Sequence, residues 1–303
     1  MIIAGAGLAG LIAGHIFPQA QIIERAEGPG AMHQALLRFR SDEVSRVTNI
    51  PFTPVTVRKG IYSQGRFVPP NIQLANLYAR KVAGKATNRS IWDTEPCTRY
   101  IAPPDFYERL IGALEPRLMW AADAEASLLS ARWGDPAIST IPLPSLLEAF
   151  CIETREEFKR SPIHVSKFRV HAAVHQTIYY PDTYDTLAPD LYRASITGNI
   201  LIIESMEPVT SDDLGFVLDS FGLAQVEAPL GKTEQRFGKI APINDMVRRE
   251  LLHKMTEEHK VYSVGRFATW RNILLDDVVK DCRWVQRAIT QGDAYARQLR
   301  SPR

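Results

Sequence analysis

Gly5, Gly7 and Gly10 stand in the spacing Gly-x-Gly-x-x-Gly, directly after the apolar run 1–4 and directly before a helical stretch at 11–17. Strand, glycine turn and helix in that order form an arrangement that binds a dinucleotide pyrophosphate. Gly5 allows the tight turn, Gly7 lets the backbone approach the phosphates, and Gly10 lets the helix pack closely on the strand, so the helix N-terminus faces the anion. Ala6, Leu8 and Ala9 complete this cofactor-binding loop. Residues 21–24, Gln-Ile-Ile-Glu, read as a second short strand ending in an acid about 20 residues past the first glycine. Glu24 is placed to accept hydrogen bonds from the ribose hydroxyls of the adenosine half. Its charge disfavours a 2'-phosphate, so FAD or NAD is expected rather than NADP.

A second set of residues carries charge or aromatic surface. Arg25 opens a polar, glycine-rich loop at 25–30, and His33, Arg38 and Arg40 flank an apolar core in 33–41. Arg38 and Arg40 alternate on an extended segment and face either a phosphate or carboxylate, or solvent at a strand edge. Tyr179, Tyr180, Tyr192 and Arg193 fall on expected strands. Arg193 there offers a two-pronged contact for a carboxylate or phosphate, and the tyrosines offer either pocket wall or sheet packing. Tyr179 and Arg193 are the candidate catalytic residues. His33, His164, His171 and His175 show no metal-ligand spacing: His171 and His175 are four apart, but on strand and loop rather than helix, so no metal site is expected. No Ser-His-Asp arrangement or P-loop is present in the spacing.

Positioning these residues calls for an ordinary globular α/β chain. The 303 residues are 45% hydrophobic and 23% charged with net charge +2, large enough for a nucleotide domain and a second lobe, and without a charge argument for nucleic acid or membrane. Cys97, Cys151 and Cys282 lie far apart with no C-x-x-C pair, which fits a reducing compartment. With the first strand beginning at Met1 and no run of about 18 apolar residues, a cytoplasmic protein without membrane partners is expected.

The pattern predicts a hairpin from strands at 53–59 and 60–68, helical residues at 71–86, and a helix after the N-cap candidate Asp105. A buried strand at 137–144 leads into a helix at 145–150. Four consecutive strands at 164–170, 177–180, 191–196 and 200–204, with turns at 181–182 and 198–199, should form an antiparallel wall for a substrate pocket. Helices follow at 211–221 and from Asn244 to about 259, with a loop or strand at 235–242 between them. A strand then ends at Gly265-Arg266, and a terminal helix begins at 272–277 and runs through 296. The expected division is a Rossmann-type domain of 1–50, 118–150 and 235–303, with a substrate lobe of 51–117 and 151–234 inserted.

This combination resembles the FAD-dependent amine oxidase and UDP-galactopyranose mutase type of flavoprotein. The matching residues are Gly5, Gly7, Gly10 and Glu24 for the ADP half, Ile138 to Pro142 before the substrate sheet, and Gly265-Arg266 with 272–278 near the end. The resemblance implies FAD as cofactor, with Gly265, Arg266, Asn272, Asp277 and Val278 receiving the flavin. Helix-start amides there would lie near the N1 and O2 edge, where Asp276 and Asp277 serve more simply as caps. The chain is shorter than common members of the group, and a mutase's arginine pair is not assignable in it. The implied activity is hydride removal from an amine or amino-acid-like substrate. The alternatives are a mutase or lyase reaction on a sugar nucleotide or a hypermodified thymine in phage DNA, so that the substrate could be carried on DNA, and a non-catalytic dinucleotide-binding protein. The sequence leaves the oligomeric state open.

Overall fold

The computed structural model describes residues 1–29, 37–86, 91–130, 135–182 and 189–291. In chain order the elements are β1 (Ile2–Ala4), α1 (Leu8–Ile16), β2 (Gln21–Ile23), β3 (Arg38–Phe39), α2 (Glu43–Thr48), β4 (Thr53–Ser63), β5 (Arg66–Val68), α3 (Ile72–Ala83), β6 (Cys97–Ile101), α4 (Phe106–Leu114) and β7 (Leu118–Met119). Then come α5 (Ala124–Ser130), β8 (Ala137–Ser139), α6 (Leu143–Ala149), β9 (Arg160–Tyr179), β10 (Leu191–Ser205), α7 (Ser211–Phe221), β11 (Ala228–Ile240), α8 (Asp245–His259), β12 (Val261–Ser263) and α9 (Leu275–Gln291). They fall into two compact units, the first of Met1–Thr53, Tyr100–Phe158 and Pro242–Arg303, the second of Pro54–Arg99 and Lys159–Ala241.

The first unit is built on a parallel sheet in the order β12-β8-β1-β2-β7. Its short strands are apolar on both faces because helices cover them, as a buried parallel sheet requires. Leu11 and Ile12 of α1, Phe106 and Leu110 of α4, and Val278, Val279 and Cys282 of α9 close one core with Ile3 and Ile22. Each such fully buried aliphatic side chain contributes about 1.5–3 kcal/mol relative to exposure. Residues 100–117, placed in the inserted lobe by the sequence reading, belong to this unit because α4 puts its apolar stripe on that core. Arg117 caps the other end of α1, donating from Nη2 to the Gly14 carbonyl at 2.9 Å and from Nη1 to Phe17 and Ala20 at 3.0 and 3.1 Å. β2 lies on one side of β1 and β8 on the other, so the chain reverses its direction of winding at β1. The crevice outside the carboxyl ends of β1 and β8 is where open α/β sheets bind ligands.

The second unit is a strongly bent sheet. β9 and β10 pair antiparallel along their lengths, β11 pairs antiparallel with β9, and β4 pairs parallel with the end of β9, so the sheet is mixed rather than purely antiparallel. Gly198 faces Val174 while Ile200 faces Arg169, so the β10 register jumps several residues of β9 at that point. The four strands expected from the sequence are therefore halves of two long strands, and Gly198-Asn199 is an irregularity inside β10 instead of a turn. The bend is sharp: Arg193 and Glu204 on the same strand, which would be roughly 35 Å apart if it were straight, form an ion pair. One face packs Ala194, Ile196, Leu201 and Ile203 against Val217 and Leu218 of α7, and α3 lies against β10 and β11. The hairpin expected at 53–68 turns later than its pattern suggested. Gln64 and Gly65 adopt φ of 52° and 73°, the signs a tight hairpin turn needs, and β4 runs unbroken to Ser63.

Candidate functional site

At the end of β1 the three motif glycines separate by what a side chain would meet. A Cβ on Gly10 would lie 1.8 Å from the Gly5 carbonyl oxygen, and one on Gly5, whose φ is +100°, would lie 2.4 Å from Thr140 Oγ1. Both are glycine because strand, loop and helix touch there. A Cβ on Gly7 would meet nothing within 4 Å, and its φ of −68° is open to any residue. Packing and strain thus leave Gly7 unexplained, and the space over it is open. Gly7 is also the N-cap of α1 and no side chain caps the helix, so the first-turn amides of Leu8, Ala9 and Gly10 lack intrahelical partners and point at the opening.

Glu24, at the end of β2, sits beside this loop. Its Oε2 accepts from Ala6 N at 2.7 Å and its Oε1 from Ala26 N at 3.0 Å. The carboxylate is half-buried, with acceptor capacity left for hydroxyl donors. Arg25 is exposed on the following loop. Two further residues complete the corner, Thr140 from the 138–142 stretch that the resemblance matches and Tyr107, which the motif reading missed. Thr140, after β8, donates its hydroxyl to the Ala4 carbonyl at 2.8 Å beneath Gly5. Tyr107 of α4 directs its hydroxyl to the Ala6 carbonyl at 3.5 Å, and burial, then Glu24 and Glu108, raise its pKa above the ordinary tyrosine value. Tyr107 carries no spacing signal; only α4 packing brings it here.

The carboxy-terminal corner arrives at the same place. Gly265, φ +92°, would set a Cβ 2.8 Å from the Ala9 Cβ in the first turn of α1. The turn is held by Thr269 Oγ1 to the Gly265 carbonyl at 2.6 Å, by Val264 N to Ser139 O at 2.9 Å and by Leu143 N to Phe267 O at 2.9 Å. Arg248, buried on α8, donates to the Thr269 carbonyl at 3.3 Å, and Arg271 pairs with Asp281. Arg266 reaches Asn272 Oδ1 at 3.5 Å.

The remaining candidates for this cofactor stand differently. Val278 is buried in the core, so its side chain packs and only its backbone could face a ligand. Asp277 accepts from Leu274 N at 3.0 Å and from Arg40 Nη2 at 2.6 Å. Asp276 is not a cap. Its buried carboxylate accepts from Arg40 N, Ser41 N and Ser41 Oγ at 2.9, 3.0 and 3.2 Å, tying the β3–α2 connection to the start of α9. Arg38 lies on β3, which pairs with Tyr100 and Ile101 of β6, and Arg40 is engaged with Asp277. His33 lies outside the described residues.

In the second unit, Tyr192 and Tyr180 are core residues: Tyr192 donates to Glu204 at 3.2 Å, and the Tyr180 hydroxyl pairs with Ser220 at 2.7 Å. Tyr179 is half-exposed and meets Tyr78 edge-on, ring centroids 5.4 Å apart. Arg193 holds Glu204 through Nε and, at 2.7 Å, through Nη2. Burial would raise the Glu204 pKa, yet Arg193, Lys239 and Tyr192 together bring it down to about 2. His175 Nδ1 accepts from Gly198 N at 3.3 Å and His171 lies 3.9 Å from Glu227. Among the described residues no group of three or more His, Cys, Asp or Glu could hold a metal ion, and no helix is long and apolar enough to cross a membrane. Cys97, Cys151 and Cys282 are free thiols.

Fold and site together define a Rossmann-type architecture with a second, sheet-built unit. No protein-family model matches the chain, and no curated protein matches it. Solved structures do. The CLA-producing fatty acid isomerase from P. acnes superposes with a TM-score of 0.59 at 13% identity, covering 96% of this chain and 97% of that one. A geranylgeranyl bacteriochlorophyll reductase-like protein from Thermoplasma acidophilum gives 0.55 at 12% identity, over 98% and 82%. RebC, soaked with chromopyrrolic acid and holding 7-carboxy-K252c, gives 0.50 at 12% identity, over 95% and 60%. This likeness shows the fold. It does not single out the amine oxidase or mutase group that the sequence resembles.

Proposed function

We infer that the chain binds FAD across the crevice at β1 and β8 and works as a flavin-dependent oxidoreductase. The observation that carries this is the opening at Gly7, bounded by glycines that packing does explain and reached by the Gly265 corner through its contact with Ala9. Gly5 to Gly10 and the start of α1 would hold the pyrophosphate, Glu24 the adenosine ribose, and the Gly265–Asn272 turn the flavin end. When bound, FAD supplies a two-electron acceptor for hydride. The protein's own part is to orient and to neutralise. First-turn amides face the phosphates without reorganisation, because Gly5, Gly10 and Thr140 lock the loop. Glu24 already holds the Ala6 amide, so its carboxylate is oriented before a ribose arrives.

Within this reading the substrate is an amine or amino-acid-like compound, the class that the sequence resemblance implies. The test is anaerobic mixing of purified, flavin-loaded protein with a panel of amines and amino acids. Bleaching of the oxidised flavin band by a member of the panel supports the reading. A flavin that stays oxidised with every amine, yet is bleached by non-amine donors, overturns the amine part and leaves the cofactor part standing. A protein that takes up no flavin overturns both.

A further inference from the structure

Arg193 and Tyr179 are directly opposite each other in the β10–β9 register, which puts both side chains on one face of the sheet. The guanidinium has two edges able to hold an oxyanion in two-pronged fashion, one formed by Nε and Nη2 and one by Nη1 and Nη2. Glu204 takes the first edge, and Tyr192 donates to the same carboxylate. The second edge makes no hydrogen bond or ion pair with a described residue, and Tyr78 lies near enough to act on the guanidinium electrostatically. The Arg193 side chain remains 36% exposed where that of Glu204 is 13% exposed, so the carboxylate sits behind the guanidinium and the open edge faces outward. Tyr78 braces the Tyr179 ring edge-on from α3, giving an aromatic wall beside that edge.

We propose that the Nη1–Nη2 edge of Arg193 seats the carboxylate of a singly charged substrate whose apolar body lies on Tyr179, with Glu204 as the positioning residue that fixes the guanidinium. Single charge follows from Glu204, which occupies the neighbouring edge and repels a second anion. Lys239, whose ammonium lies 4.4 Å from the Tyr192 ring centroid and which helps hold Glu204 ionised, offsets that repulsion for one added charge and not for two. The assignment deepens the proposed function by naming its substrate class.

Calorimetric titration of the full-length protein with 3-phenylpropionate, 3-phenylpropionamide and 2-phenylethylphosphonate tests it, with flavin absorbance recorded on the same samples so that a failure of the cofactor reading is seen separately. The carboxylate should bind at least about tenfold more tightly than the isosteric amide. Arg193→Lys, which keeps the charge beside Glu204 but loses the fork, should abolish most of that preference. The double variant Arg193→Met with Glu204→Gln removes both charges of the pair together and should bind acid and amide alike. Equal binding of acid and amide by the unmodified protein, or a preference undiminished in either variant, overturns the assignment. Tighter binding of the phosphonate overturns its single-charge element.

Discussion

Alanine at Gly7 and alanine at Gly10 should fail in opposite ways. At Gly10 the new Cβ would lie 1.8 Å from the Gly5 carbonyl oxygen, so α1 must move off β1 by well over an ångström. Overpacking of backbone on backbone places the cost at about 3 kcal/mol or more, the upper end of the usual range. For a chain of this size that lowers the melting temperature by roughly 6 °C or more. At Gly7 the Cβ enters open space at φ −68°. Alanine is a poorer N-cap than glycine by about 0.5–1 kcal/mol, offset by a similar gain from the stiffer unfolded chain. The melting temperature of the flavin-free protein should therefore stay within about 3 °C of the unmodified protein. Flavin affinity, titrated by quenching of free FAD fluorescence, should fall at least tenfold, since the methyl occupies the line of approach of the phosphates. Unchanged affinity in Gly7→Ala, or a stability loss as large as that of Gly10→Ala, would refute the reasoning.

Three further outcomes follow from charged groups. Asp276→Asn keeps the shape but weakens the buried anchor of Arg40 and Ser41, and should cost about 2–3 kcal/mol in urea unfolding; a shift under about 0.5 kcal/mol contradicts the role. Glu204, held at about 2 when folded against an ordinary 4.5, contributes stability that is complete above pH 4.5 and lost as pH falls towards 2. Glu204→Gln should flatten that acid arm of the stability curve, and an arm left unchanged contradicts the pairing. Lys81, lowered to about 8 by burial against the pull of Asp182 and Asp190, binds its proton less readily folded than unfolded. Its penalty is complete below pH 8 and relieved towards 10.5, so unfolding free energy should rise across that window in the native protein and not in Lys81→Met.

Elements with local end signals were legible in the sequence. α7 begins where Thr210 and Asp213 form a reciprocal capping box and stops at Gly222 in the left-handed region, and Asn244 caps α8 through Met246 N. These boundaries need only neighbours within a few residues. The glycine motif was legible together with the turn at Gly5 and the close helix–strand packing at Gly10; only the threonine beneath Gly5, which comes from across the fold, was not. The strand irregularity at Gly198 reads like a turn, since glycine-asparagine serves both, and only pairing with β9 decides. For the same reason the Arg193–Glu204 pair, which exists only because β10 bends, was not legible in the sequence. Tyr107 had no pattern at all: its place at the loop follows from the packing of α4 on α1, whereas Thr140 falls inside the 138–142 stretch that the resemblance matches.

The central claim is that the β1–β8 crevice holds FAD. Mass spectrometry of the small molecule released on denaturing the purified native protein, after incubation with an equimolar mixture of FAD, NAD and NADP, addresses it most directly. FAD should be released in near-stoichiometric amount from the unmodified protein and be lost in Gly7→Ala. A protein that releases NAD or NADP in its place, or no dinucleotide, contradicts it.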